Sequence, residues 1–222
     1  MPSALHQALQ RYYAGDEGAT EVEMDGYRAD AIRDGVIYEI QTRSFTAIRD
    51  KLHELADEHP VVLVHPIPRY KWIAKYDGET GEEISYRRSP KRWQPCEVFG
   101  ELVYATKLLA RENITLELIV ICERETRIDD GKGSWRRNGE SIGGHELLAI
   151  LERHRFERPA DLARLLPEGL PGQFTVADIR ECGGIRKRLA GRIAYTLREV
   201  GAIEQVGKDG RAYLYERTDD AS

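Results

Sequence analysis

Along the chain the hydrophobic positions change rhythm several times. Residues 4–14 place Leu5, Leu9 and Tyr12 or Tyr13 on one side of a short helix. Residues 20–42 switch to strand material, broken at Asp34-Gly35, a dipeptide that marks two-residue hairpins. Ser44 is a candidate N-cap, and residues 45–57 return to a helical period through Phe45, Ile48, Leu52 and Leu55, stopped at His59-Pro60. The run PVVLVHPIP predicts a short buried strand. KWIAKYD and EEISYRR predict a second hairpin around Asp77-Gly78 and Thr80-Gly81. Residues 97–110 predict a helix and 114–122 another buried strand.

The polar, glycine-containing stretch 127–144 reads as a loop and marks the expected domain boundary. Beyond it, helices are predicted at 144–155, 159–166 and 174–182, the last with Thr175 as its cap. The longest helix is predicted at 185–200, apolar at Ile185, Leu189, Ile193, Leu197 and Val200. Two strands around Lys208-Asp209-Gly210 follow. Short helices followed by a hairpin form a winged helix-turn-helix pattern. The expected organisation is an α/β domain at 1–130, a linker at 131–141 and a winged-helix domain at 142–222.

A net charge of −5 over 222 residues argues at first against a nucleic-acid partner. The average hides two unlike halves: residues 1–130 hold 17 Lys+Arg against 24 Asp+Glu, and residues 131–222 hold 16 against 14. Within the second half, Arg186, Lys187, Arg188, Arg192 and Arg198 occupy 186–198 without an acid. Such a local basic face binds phosphates whatever the chain's total charge. No apolar run approaches the roughly 18–20 residues of a membrane span, so no membrane partner is expected. No secretion signal is read at the N-terminus, and three scattered cysteines (Cys96, Cys122, Cys182) fit a reducing, cytoplasmic setting.

The candidate chemistry lies on the first hairpin. With Asp34-Gly35 as its turn, Asp30 falls opposite Glu39, and their Cβ atoms are expected about 4.5–5.5 Å apart. Like charges so placed destabilise a sheet, and a divalent cation between them removes the repulsion. Gln41 points to the same face as Glu39, and the Ile40 carbonyl is a further oxygen ligand.

Asp30 preceded by Arg28-Ala29, then Glu39-Ile40-Gln41 ending an apolar strand, then an amphipathic helix and a strand, resembles the PD-(D/E)XK nuclease superfamily, and within it the E-x-Q form of CoiA-like competence nucleases. The resemblance covers about residues 4–66. It implies a restriction-endonuclease-like mixed sheet flanked by helices, with Asp30 and Glu39 binding Mg²⁺ or Mn²⁺ for phosphodiester hydrolysis. Gln41 replaces the usual lysine: it orients by hydrogen bonding without a positive charge, and Lys51 on the next helix is the candidate to supply one. The first helix carries no acid, so Glu23 or Asp25 is the candidate additional ligand. The later order of SPKRW, a helix, a strand and WRR before a winged helix resembles an uncharacterised bacterial family joining a nuclease-like domain to a winged helix.

Candidate DNA contacts are Arg186, Lys187, Arg188 and Arg192 on the long helix, Lys208 and Arg211 on the wing, and Arg88, Lys91 and Arg92 in the basic segment before Trp93. Two readings stay open: a metal-dependent deoxyribonuclease recruited by the winged helix, and a catalytically inactive DNA-binding regulator or scaffold. Composition allows RNA as the substrate, and a homodimer would suit double-strand cutting.

Overall fold

The computed structural model describes residues 3–24, 26–42, 44–91 and 93–218. It opens with helix α1 (Ala4–Ala14), capped by the Ser3 hydroxyl, which accepts from the His6 N–H at 3.3 Å. Leu5, Leu9 and Tyr13 are buried and Tyr12 is exposed. Strands β1 (Ala19–Met24), β2 (Tyr27–Arg33) and β3 (Val36–Ile40) follow as an antiparallel meander. Asp34 and Gly35 have φ of +53° and +75°, the two left-handed residues that a type I′ turn requires. The turn fixes the predicted register: Arg33 opposite Val36, Ile32 opposite Ile37, Ala31 opposite Tyr38. Gly18 permits a close approach, since a Cβ there would lie 2.3 Å from the Ala14 carbonyl oxygen and 2.5 Å from that of Ile32.

A 3-10 turn at Phe45–Ile48, capped by Ser44, leads into α2 (Arg49–Glu58). Then come β4 (Val61–Asp77), β5 (Glu83–Arg88), the short helices α3 (Phe99–Leu102) and α4 (Thr106–Leu109), β6 (Ile114–Asp129) and β7 (Ser141–Phe156). The C-terminal elements are a 3-10 helix at Pro159–Leu165, β8 (Gln173–Phe174), α5 (Val176–Gly183), α6 (Lys187–Glu199), β9 (Ile203–Asp209) and β10 (Ala212–Arg217). The chain is therefore mixed α/β. A seven-stranded sheet runs β1-β2-β3-β4-β6-β7 with β5 paired to β4, and a three-stranded sheet runs β8-β10-β9.

Contacts divide the chain into two compact units: Met1–Thr42, Val64–Trp93 and Leu118–His154 form the first, and Arg43–Leu63, Gln94–Glu117 and Arg155–Ser222 the second. The first buries Leu9, Tyr13, Ile37, Tyr38, Val64 and Ile119, with the Tyr13 and Tyr38 rings stacked at 5.0 Å. The second buries Phe45, Leu52, Phe99, Leu102, Phe174, Ile193 and Leu197.

Three expectations need correction. Residues 144–155 belong to strand β7, not to a helix, so the stretch expected as a linker at 131–141 mostly connects two neighbouring sheet strands. The helix expected at 97–110 is broken into a 3-10 turn, α3 and α4. The short strands expected at 60–68 and 114–122 are the first parts of strands 17 and 16 residues long.

A row of ion pairs ties β4, β6 and the chain leading into and along β7 together. Lys71 on β4 bridges Glu123 (2.8 Å) and Glu125 (2.9 Å) on β6; Arg127 bridges Glu125 (2.7 Å) and Glu140 (3.1 Å). Lys75 joins Asp129 and Glu140, and β7 adds the pairs Arg124–Glu146 and Arg69–Glu152. Burial pushes the Glu123 carboxyl up. His145 and the Lys71 ammonium outweigh it and hold the group below its ordinary value of 4.5. Glu125 follows the same balance, with Lys71 and Arg127 opposing burial.

These depressed carboxyls contribute stability that is complete above the unfolded value near 4.5 and is lost as pH falls through the lower folded values. Urea unfolding between pH 7 and pH 3 is expected to show stability declining below about pH 4.5, with a shallower decline in Glu125→Gln; equal slopes would contradict the assignment. In the second unit, Thr175 and Asp178 form a capping box at the start of α5. Thr175→Ala is expected to lower stability by about 1 kcal/mol, and Thr175→Ser to restore it.

Candidate functional site

The ladder between β2 and β3 is regular as far as Ala31 opposite Tyr38. One step further, side chains take over from it. The Asp30 N–H donates to Glu39 Oε1 at 3.2 Å, and the Ile40 N–H donates to Asp30 Oδ2 at 2.8 Å. The expected pair of carboxylates opposed across a hairpin is thus refined: each carboxylate accepts from backbone on the other strand. Glu39 is 2% exposed, and the alanines flanking Asp30, Ala29 and Ala31, are fully buried.

Helix α1 supplies two further partners of Asp30. His6 Nε2 lies 2.9 Å and Gln10 Nε2 3.0 Å from Asp30 Oδ1. The two residues are four apart, so the helix presents both to the same carboxylate.

On the far side of Glu39, the Gln41 N–H donates to the Val64 carbonyl at 2.8 Å, and the Gln41 carbonyl accepts from His65 Nδ1 at 2.7 Å. Burial pushes the His65 pKa down against the opposing effect of this hydrogen bond, so the ring is neutral at neutral pH, with its proton on Nδ1. The structure thus gathers Asp30, Glu39, Ile40 and Gln41 with His6, Gln10 and His65.

Glu23 is exposed opposite Arg28 on β2. Asp25 lies outside the described residues. Lys51 is half-buried on α2, in the second unit. His53, on the same helix, meets Arg111, which also pairs with Asp57.

Among the described residues, the group of three acid and histidine atoms all within 4.8 Å of one another is Glu123, Glu125 and His145; Asp30, Glu39, His6 and Glu23 are in no such group. Lys71 already places its ammonium between the two glutamates there, so the cluster reads as part of the ion-pair row.

Of the expected DNA contacts, Arg186, Lys187 and Arg188 are exposed at the start of α6. Lys187 and Arg211 line one groove with Arg180, Tyr213 and Tyr215. Lys208 lies over the Tyr213 ring at 5.4 Å. Arg192 is corrected: its guanidinium donates to the Gly100 carbonyl (2.6 Å) and Tyr104 hydroxyl (3.0 Å), fastening α6 to the α3 region. Arg88 and Lys91 are exposed at and after the end of β5. Arg92 lies outside the described residues.

Sequence reasoning missed His6 and Gln10. Their signal was a polar pair at i and i+4 on the helix whose neighbouring positions, Leu5, Leu9 and Tyr13, are buried.

A family model described as "Domain of unknown function (DUF8091)" matches residues 3–157. An uncharacterized protein of Treponema pallidum (strain Nichols) is 31% identical over 217 residues, covering 97% of this chain and 85% of the relative. No solved structure matches. With more than two thirds of its length matched and a relative aligned almost end to end, the chain belongs to the DUF8091 family.

Proposed function

We propose that this chain is a metal-dependent nuclease whose site is built on Asp30, Glu39 and Gln41, with the C-terminal elements acting as its DNA-binding part. One observation carries the reading: where the β2–β3 ladder ends, each of two carboxylates, Asp30 and Glu39, accepts a backbone N–H of the other strand. Such a pairing is unfavourable as mere surface decoration. The element order α1-β1-β2-β3-α2-β4 is also the one that the PD-(D/E)XK resemblance implies.

The donor set fits the implied metal. The Asp30 and Glu39 carboxylates and the Ile40 carbonyl are hard oxygen ligands, suited to Mg²⁺ or Mn²⁺ rather than to a thiophilic ion. When bound, such an ion supplies Lewis acidity toward the phosphodiester and the attacking water. His6 and Gln10 hold Asp30 in its orientation, and the neutral His65 holds the backbone of Gln41. The Gln41 amide orients water or a phosphate oxygen by hydrogen bonding and adds no charge.

The order of α5, α6 and the β9–β10 hairpin, with β8 completing a three-stranded sheet, supports a winged helix. Its DNA-facing stripe is Lys187, Arg188, Tyr195 and Arg198, with Lys208 and Arg211 on the wing; Arg192 has a structural role instead. A second reading, a DNA-binding protein without catalysis, is favoured by the partners already on Asp30, among them His6, Gln10 and the Ile40 N–H, and by Gln41 in the lysine position.

Purified protein incubated with supercoiled plasmid and single-stranded DNA is expected to cut in Mg²⁺ or Mn²⁺, not in EDTA, and to lose cutting in Glu39→Ala. Absence of cutting on DNA and on RNA, with DNA binding intact, would establish the second reading.

A further inference from the structure

The Asp30 site does not account for an exposed aromatic surface elsewhere on the first unit. Strands β4 and β5 pair with Trp72 opposite Arg88 and Ala74 opposite Tyr86. Cross-strand partners share a face, as do positions two apart, so Tyr70, Trp72, Tyr86 and Arg88 all project from one side of the hairpin. The Trp72 and Tyr86 rings stack at 5.1 Å with 5° between their planes. The Arg88 guanidinium lies 5.7 Å from the centroid of Tyr70. Tyr70 is 44% exposed and Tyr86 47% exposed, and Arg88 is exposed. The strip therefore alternates flat rings with a planar cation over about 13 Å of strand.

A chain gains little by leaving such rings in water. Other tyrosines of the chain are exposed singly, and what sets this face apart is that Tyr70, Trp72, Tyr86 and Arg88 are grouped on one side of a hairpin. The strip's charge also has a sign. On the aromatic face the cation is Arg88, with Lys91 just beyond the end of β5, while Arg87, opposite Ile73, projects from the other face and Glu83 lies at the far end of β5. Exposed rings that bases can stack on, interleaved with cations that meet phosphates, are the two requirements of single-strand binding. Duplex DNA offers its bases only at their edges, so a flat ring surface selects unpaired bases.

We propose that the β4–β5 face, through Tyr70, Trp72, Tyr86 and Arg88, is a binding platform for single-stranded DNA. Bases stack on Tyr70 and on the outer ring of the Trp72–Tyr86 pair, and Arg88 meets the phosphate between them. The platform deepens the nuclease reading by naming a single-stranded substrate, and it takes DNA rather than RNA from that reading. Its own basis, ring exposure and charge, is independent of whether the Asp30 site cuts.

The test is fluorescence anisotropy of the full chain with labelled oligo-dT, oligo-rU and a duplex of equal length, all in EDTA so that cleavage plays no part. Because the C-terminal elements would bind duplex in the full chain, the platform is read from the ring variants: oligo-dT affinity is expected to fall in them while duplex affinity stays at the wild-type value. Tyr86→Leu and Tyr70→Leu are each expected to weaken oligo-dT binding about tenfold, equivalent to about 1.4 kcal/mol of stacking. Tyr86→Phe is expected to keep wild-type affinity, because only the ring face is used. Thermal unfolding of each variant reports the fold, and Tyr70, outside the stacked pair, is the variant least coupled to hairpin stability.

Unchanged oligo-dT affinity in both folded leucine variants would overturn the platform and leave the Trp72–Tyr86 pair as a stabiliser of the hairpin. An equal loss of duplex affinity in the leucine variants, or tighter binding of oligo-rU than of oligo-dT, would overturn the single-stranded DNA assignment. Ring-dependent oligo-dT binding in a protein that cuts nothing would refute the nuclease reading and leave the platform standing.

Discussion

The Asp30 carboxylate is where three elements of the first unit are fastened together. It accepts from the Ile40 backbone on β3 and from His6 and Gln10 on α1, while its own N–H is held by Glu39. An acidic side chain at the end of a ladder normally faces water. Here the Asp34-Gly35 turn sets a register that brings it against a second, buried acid, and the helix supplies donors that make the arrangement tolerable. The same contacts that stabilise this corner fix the direction in which the two carboxylates point. Structure and the proposed chemistry therefore depend on one group.

The rest of the large sheet solves a different problem. Strands β4, β6 and β7 run past the apolar core, and there is too little hydrophobic cover for all of their length. Lys71, Lys75 and Arg127 answer this by pairing with Glu123, Glu125, Asp129 and Glu140 across neighbouring strands. Exposed ion pairs contribute little, but these glutamates are largely buried, so each needs its cation. The row leaves the β4–β5 face free to carry aromatic side chains. In the second unit Arg192 does a comparable structural task, tying α6 to the Gly100 carbonyl.

The elements legible in the sequence were those specified locally. The Asp34-Gly35 turn, the Leu5/Leu9 stripe of α1, the Thr175 cap and the hairpin at Lys208-Asp209-Gly210 each follow from a few adjacent residues. The strand β7 was not legible, because Leu147, Leu148, Ile150 and Leu151 satisfy a helical period equally well and the Glu and Arg around them favour helix. Its partners, Arg69, Glu123 and Arg124, lie 20 to 80 or so positions earlier in the chain. At the candidate corner, hairpin spacing is enough to bring Asp30 and the Glu39–Ile40 segment together, whereas the approach of His6 and Gln10 needs the helix laid against β2. The role of Arg192 was misread for the same reason: an exposed basic helix face and a helix face packed on a carbonyl look alike in sequence.

The central claim is that Asp30 and Glu39 together form a divalent-cation site. Titration of Mn²⁺ into the protein, followed by the loss of the free-ion electron paramagnetic resonance signal, tests it without any substrate. The account predicts saturable binding by wild-type protein that is abolished in Asp30→Asn and Glu39→Gln and retained in Glu125→Gln. Wild-type affinity in the two site variants, or binding lost only in Glu125→Gln, would contradict it.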